Sequence, residues 1–157
     1  MQLSTFLIDT ETFGVPTLLV EELFRPQPVT RVPSADPRLE GITNIRGKTA
    51  VVLNMRRCLG VSDADESVAN EMVLMETSAG LVEEAKELGL EAFNDPVILR
   101  VDESTSICSV NPKTIQPAPA HVNQIFVEGV AKSGDRYITV LSITSLINDI
   151  LHHSSEN

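Results

Sequence analysis

Tryptophan is absent from this 157-residue chain, tyrosine occurs once and phenylalanine five times. Valine, leucine and isoleucine must therefore fill most of any interior. With 42% apolar residues the chain can build one substantial core or two small fused ones. Cysteine is equally scarce: Cys58 and Cys108 are far apart and sit in apolar sequence, as buried thiols would. That spacing offers neither a disulfide framework nor a zinc pattern. Positive charge is short, with 12 Lys and Arg against 22 Asp and Glu and a net charge of −10. A general affinity for nucleic acid, which needs a basic face, is not expected. No long uncharged apolar run exists and no basic residue precedes Arg25. Neither a membrane span nor a signal peptide is expected, and the expected compartment is the cytoplasm.

The acid is unevenly placed. Residues 61–103 hold twelve Asp and Glu against Lys86 and Arg100, whereas residues 1–60 hold six acids against seven Lys and Arg. The acidic segment reads either as a solvated, solubilising surface or as the polar rim of a protein-binding face.

What the chain does contain is a repeat. Leu39-Glu40-Gly41-Ile42 is followed, twelve residues past its glycine, by Leu53 within Val51-Val52-Leu53-Asn54-Met55. Val127-Glu128-Gly129-Val130 is followed at the same distance by Leu141 within Thr139-Val140-Leu141-Ser142-Ile143. A proline-rich stretch precedes each copy, Pro26 to Pro37 in one case and Pro112, Pro117 and Pro119 in the other. The reading is two copies of one small β unit, each covering an apolar face that it cannot bury alone.

Around the repeat, Phe6-Leu7-Ile8 and Val15 to Leu19 read as a hairpin, with Val20 to Phe24 extending or bending off it. The first prolines forbid helix or central strand and predict a rigid wall between two barrels. A turn falls at Gly47-Lys48, the strand Thr49 to Met55 follows, and Glu71 to Glu76 and Pro96 to Val101 are further strands. Leu81, Ala85 and Leu88 at helical spacing predict a helix over 79–88, capped by Ser78 and ended by Gly89 with Leu90 folding back. Ser133-Gly134-Asp135 marks a second hairpin turn, and Thr144 to His152 forms a closing helix that buries Leu146, Ile147, Ile150 and Leu151.

Catalytic patterns are missing. Gly47-Lys48-Thr49 invites a phosphate-loop reading, but Gly41 is one residue out of place and Thr49 opens a strand rather than a helix. His121, His152 and His153 have no partner motif for nucleophilic catalysis. His152 and His153 are adjacent, so on a helix they diverge and cannot readily share a metal. Glu21-Glu22, Glu83-Glu84 and Asp102-Glu103 are sequence neighbours, and on a strand such neighbours face opposite sides, which is wrong for acid and base partners. No catalytic, cofactor or metal site is expected.

The block Gly41-Ile42-Thr43-Asn44-Ile45-Arg46-Gly47 with the strand after it resembles the G-x-x-N-x-R-G element of the CheW-like domain family, the adaptors of bacterial chemotaxis arrays. Phe6 to Val15, Val20-Glu21-Glu22-Leu23, Val101-Asp102, and Glu128-Gly129-Val130 with Gly134-Asp135-Arg136 are similar to further family segments, in order, along nearly the whole chain. The resemblance implies a mainly β fold of two small SH3-like five-stranded barrels packed together within one domain over 1–157, carrying a helical insertion at 78–94. It implies a non-enzymatic coupling role between the regulatory domain of a CheA-type histidine kinase and the cytoplasmic tips of chemoreceptors, with no direct insertion into the membrane. By position it assigns Val20, Glu22, Asn44, Arg46, Gly47, Val101 and Asp102 to the interaction surface, with Glu22 and Arg46 expected to form an ion pair.

The chain departs from the family at Asn54, where an acid is common, at Ala50, where proline is common, and at Ser104, where an apolar residue is usual. The largest departure is the acidic helix bearing Glu83, Glu84, Glu87 and Glu91, where the family makes a short turn. It would block or alter the receptor-binding surface, add a contact, or stand as a tolerated insertion. Two other readings remain: a divergent scaffold of a specialised signalling complex, and, in a different class, a nucleotide-binding protein using Gly47-Lys48-Thr49. The chain ends soon after its closing helix, so no fused receiver domain is expected.

Overall fold

The computed structural model describes residues 1–62, 71–118 and 125–155, with side chains to residue 152. His121, Pro119 and the side chain of His153 lie outside the described residues. The chain opens with a hairpin of β1 (Gln2–Ile8) and β2 (Glu11–Pro16). Its two-residue turn places Asp9 at φ +59°, a left-handed conformation that aspartate tolerates. The resulting register sets Phe6 against Phe13, whose rings stack at 6.4 Å. The tight turn moves the second strand earlier than Val15 to Leu19, and Thr17–Leu19 become a single 3-10 turn. There the chain leaves this sheet for another.

The second sheet is built from β3 (Val20–Phe24), β4 (Leu39–Ile45), β5 (Lys48–Asn54), β6 (Glu71–Met75) and β7 (Val97–Val101). The chain then returns to the first sheet with β8 (Glu103–Ser109), β9 (Val127–Ser133) and β10 (Arg136–Leu141). The strand orders are β8-β1-β2-β10-β9 and β3-β6-β7-β5-β4. Position for position the two sheets match, as expected of paired SH3-like barrels. Each has an outer hairpin, β9–β10 or β4–β5, joined to the rest by one parallel pairing, β10 to β2 or β5 to β7.

The repeated glycines explain why the two hairpins look alike in sequence. Leu39 pairs with Leu53 and Gly41 with Val52 across a bulge; Val127 pairs with Leu141 and Gly129 with Val140 across another. Beside each glycine the preceding proline-rich segment crosses the strand. Thr30 and Ile42 exchange two backbone hydrogen bonds of 2.8 Å, and Gln116 and Val130 exchange bonds of 2.9 and 2.8 Å. A Cβ on Gly41 would overlap the Thr30 carbonyl, and one on Gly129 the Gln116 carbonyl. Only glycine lets the backbones approach this closely.

Alternation along the strands sends side chains to two interiors. Leu3, Val110, Ala131, Ile138 and Val140 fill a small core inside the first sheet; Ala50, Val52, Met72, Leu74 and Ile98 fill its counterpart in the second. The opposite faces, with Phe6, Val15, Val73, Leu99 and Val101, meet in one large shared core. Neither sheet could hide both faces alone, so the two depend on each other.

Three α-helices complete the fold among the described residues. At α1 (Met55–Cys58) the predicted strand stops one residue early, because the Asn54 side chain caps the turn by accepting the Arg57 N–H at 3.1 Å. The predicted helix over 79–88 is shorter: a 3-10 turn at Ser78–Gly80 precedes α2 (Glu83–Glu87). Ser78 caps nothing, since its hydroxyl pairs with Asn94 Oδ1 at 2.6 Å. Ala85 is buried, Leu81 packs against the shared core and Leu88 is exposed. The exit is as expected, with Gly89 at φ +74°, its N–H on Lys86 O and the Leu90 N–H on Ala85 O, both 3.0 Å. The closing helix α3 (Ile143–Ser155) buries Leu146, Ile147 and Ile150 in the shared core, while Leu151 faces outward.

Candidate docking surface

β3 and β8 are the edge strands of their sheets, each paired on one side only. Between them lies an open groove of about 350 Å³. Phe6, Val15 and Val73 form its buried apolar floor; Val20, Leu23 and Ile107 stand along its walls. Leu23 is 49% exposed and Ile107 59%, unusual for large apolar side chains on neighbouring edges. Glu21 and Glu22 also line the groove.

Arg46 contacts both acids. Its Nη2 pairs with Glu22 Oε2 and its Nη1 lies 3.7 Å from Glu21 Oε1. Since β3 and the β4–β5 hairpin occupy opposite edges of the second sheet, this contact shows the sheet curled into a barrel. Arg46 at φ +52° and Gly47 at φ +84° form the tight hairpin turn, a conformation that suits glycine at the second position. Asn44 Oδ1 accepts the Gly47 N–H at 3.0 Å and holds the turn. The N-x-R-G element is thus one device: asparagine and glycine shape the turn, and arginine projects from it onto β3. The Arg46 side chain is 65% exposed and Glu22 39%, so the pair contributes only about 0–1 kcal/mol to stability. Burial, and secondly the charge of Glu21, push the nearby Glu76 carboxyl above the ordinary range.

Four of the seven sequence-assigned residues, Glu22, Asn44, Arg46 and Gly47, come together at this exposed corner, and Val20 packs partly into the shared core on the groove wall. Val101 and Asp102 do not join them. Val101 is fully buried in the shared core and Asp102 is 6% exposed, so neither side chain offers a face to a partner. Asp102 instead takes two hydrogen bonds from Arg56, at 2.8 and 2.7 Å, and one from the Asp9 N–H at 2.7 Å. Ile107 and Leu23 were missed by the sequence reading; the signal for Ile107 was an apolar residue in the mostly polar strand Glu103–Ser109, whereas Leu23 lies between Glu22 and Phe24 on β3 with no such contrast.

A second and larger concavity, about 960 Å³, lies where the 27–37 segment faces β4, β5 and α1. Of its lining arginines, Arg56 and Arg57 are engaged, by Asp102 and by the Pro37 carbonyl at 3.1 Å, while Arg31 is exposed. Arg38 bonds Asp36 and Asp149, with its basicity raised first by the Asp36 bond. Arg100 pairs with Glu40 at 2.7 Å, and Glu40 also accepts from Asn54 at 3.0 Å. Here the asparagine that replaces the family's acid serves both Glu40 and α1.

Among the described residues no cluster of His, Cys, Asp or Glu is placed to hold a metal ion. His152 is exposed on α3. Lys48 and Thr49 belong to β5, with no helix N-terminus following the Gly47 turn. No helix among the described residues is long and apolar enough to cross a membrane.

A family model described as CheW-like domain matches residues 2–151. The chain is 26% identical over 155 residues to the chemotaxis protein CheW of Treponema pallidum, covering 94% of this chain and 82% of that protein. It is 21% identical over 150 residues to the chemotaxis protein CheW of Helicobacter pylori, covering 94% and 81%. The crystal structure of the scaffolding protein TtCheW from Thermoanaerobacter tengcongensis superposes with a TM-score of 0.73 at 22% identity, over 90% of this chain and 88% of that one.

Proposed function

The chain belongs to the CheW-like domain family, and from that premise we propose that it is a non-enzymatic chemotaxis adaptor. It couples the regulatory domain of a CheA-type histidine kinase to the cytoplasmic tip of a chemoreceptor. Residues 1–157 act as one unit of two barrels, with 78–94 as an insertion, and the protein works in the cytoplasm, at membrane-associated receptor arrays through its partners. The observation that carries the reading is the groove between β3 and β8, with its apolar floor, Leu23 and Ile107 exposed on its walls, and the Glu22–Arg46 pair at its polar margin. An apolar centre with a polar rim is the anatomy of a protein-binding face.

Val20, Glu22, Asn44, Arg46 and Gly47 are the residues proposed to meet the receptor. Arg46→Ala removes an exposed pair, so it should lower Tm by no more than about 2–4 °C while weakening capture of a receptor-tip fragment. A large fall in Tm with unaltered binding would assign the pair to structure and defeat this part of the reading. A nucleotide-binding role would instead give saturable thermal stabilisation by ATP or GTP; the strand at Lys48 and Thr49 provides no cradle for a phosphate.

A further inference from the structure

The two walls of the groove share an origin. The chain passes from the first sheet to the second at Thr17–Leu19 and returns at Asp102, and each passage delivers a wall: β3 begins at Val20 and β8 at Glu103. Whatever fixes the passages fixes the spacing of the walls.

The first passage is held by neutral contacts. The Ser4 and Thr17 hydroxyls meet at 3.0 Å, and the Glu76 N–H donates to Leu19 O at 2.7 Å. The second is held by charge. Arg56, in α1 at the end of the second sheet's β5, grips Asp102 through Nε and Nη2 and donates from Nη1 to Ser62 O at 2.5 Å. Asp102 also accepts the N–H of Asp9, in the turn of the first sheet's hairpin, while its own N–H donates to Leu7 O at 3.2 Å. One buried carboxylate therefore ties both sheets to the point where the chain crosses between them.

Stability does not account for this choice. Desolvating two charges costs about as much as their attraction returns, and an apolar pair of equal volume often does as well or better. A two-pronged guanidinium–carboxylate contact supplies something an apolar pair lacks, a fixed distance and a fixed angle. We propose that Arg56 and Asp102 are positioning residues that set the separation of β3 and β8, and so the width of the docking groove, without touching the partner themselves. The inference relies on the adaptor reading only for the identity of the partner that senses this width.

The test uses the full chain carrying Cys58→Ala and Cys108→Ser, spin-labelled at Leu23→Cys and Ile107→Cys on the two walls. Pulsed dipolar spectroscopy reads the distance between the labels. With Arg56 and Asp102 intact, one narrow distribution is expected. The double variant Arg56→Met/Asp102→Leu should still melt cooperatively, yet give a broadened or displaced distribution. In the chain that keeps Leu23 and Ile107 and carries no label, the same double substitution should weaken affinity for a receptor-tip fragment by about tenfold, the worth of one well-placed contact. Arg56→Lys, which keeps the charge and loses the fork, should broaden the distribution as well. A folded variant with an unchanged distribution overturns the proposal, and so does failure of both variants to fold, which would make the pair a requirement for folding alone. Absence of receptor-tip binding by the unmutated chain would instead defeat the adaptor reading, leaving the label distances to decide the positioning role.

Discussion

Replacing Gly41 with alanine probes the duplicated architecture at the position that creates it. The added Cβ would overlap the Thr30 carbonyl oxygen and stand 2.7 Å from Val29 Cγ1 and 2.8 Å from the Thr30 carbonyl carbon. Two of these atoms are backbone, so no change of rotamer relieves the clash and the 27–37 segment must move away. Moving it breaks both hydrogen bonds between Thr30 and Ile42, each with a net worth of about 0.5–1.5 kcal/mol. It also lifts Val29, partly buried against the second sheet's own core, at a further cost of about 1 kcal/mol. The sum is about 2–4 kcal/mol; with a urea slope near 2 kcal/mol per molar, the midpoint should fall by roughly 1–2 M at unchanged slope. Urea titration followed by far-UV circular dichroism reads it. Gly129→Ala meets the Gln116 carbonyl and should cost a similar amount. The two sites share no partner, so their effects should add to within about 0.5 kcal/mol. A loss below about 0.5 kcal/mol, the range of ordinary surface substitutions, would refute the close-approach explanation.

Three further outcomes are expected. Partial desolvation raises the Glu128 carboxyl above its ordinary value although the residue keeps an exposed face, so the folded state binds that proton somewhat more tightly than the unfolded state, and stability falls slightly as pH rises from the ordinary to the raised value. Glu128→Gln should therefore raise Tm at neutral pH and lose that advantage below about pH 4; a gain independent of pH would contradict this origin. Burial also pushes the Cys58 thiol up to about 12, whereas Cys108 is half-buried on β8; a thiol reagent at pH 8 should modify Cys108 in the native protein and Cys58 only after denaturation. Leu99 is fully buried in the shared core, so Leu99→Ala should destabilise by about 2–5 kcal/mol in the same urea titration.

Much of this architecture was legible because its causes are local. Gly41 and Gly129 mark close backbone approaches, and the apolar stretches Val51-Val52-Leu53 and Val140-Leu141 mark strands with two buried faces. Gly89 marks a helix exit for the same kind of reason. β8 was illegible because Glu103-Ser104-Thr105-Ser106 is polar, as suits an edge strand that must not aggregate. The start of α2 was misplaced because Ser78 has a better partner, Asn94, distant in sequence. At the candidate site the turn residues and the Glu22–Arg46 pair could be read from their motif. Asp102 could not be read as buried, since an aspartate is rarely so unless paired, and its partner Arg56 lies 46 residues away.

Chemical-shift mapping of the isotopically labelled chain, titrated with a receptor-tip fragment, addresses the docking groove itself. Perturbed amides should cluster on β3, on the Asn44 to Gly47 turn and on β8, and sparing of that region at saturation, with the shifts gathered elsewhere or absent, would contradict the proposed mode of coupling.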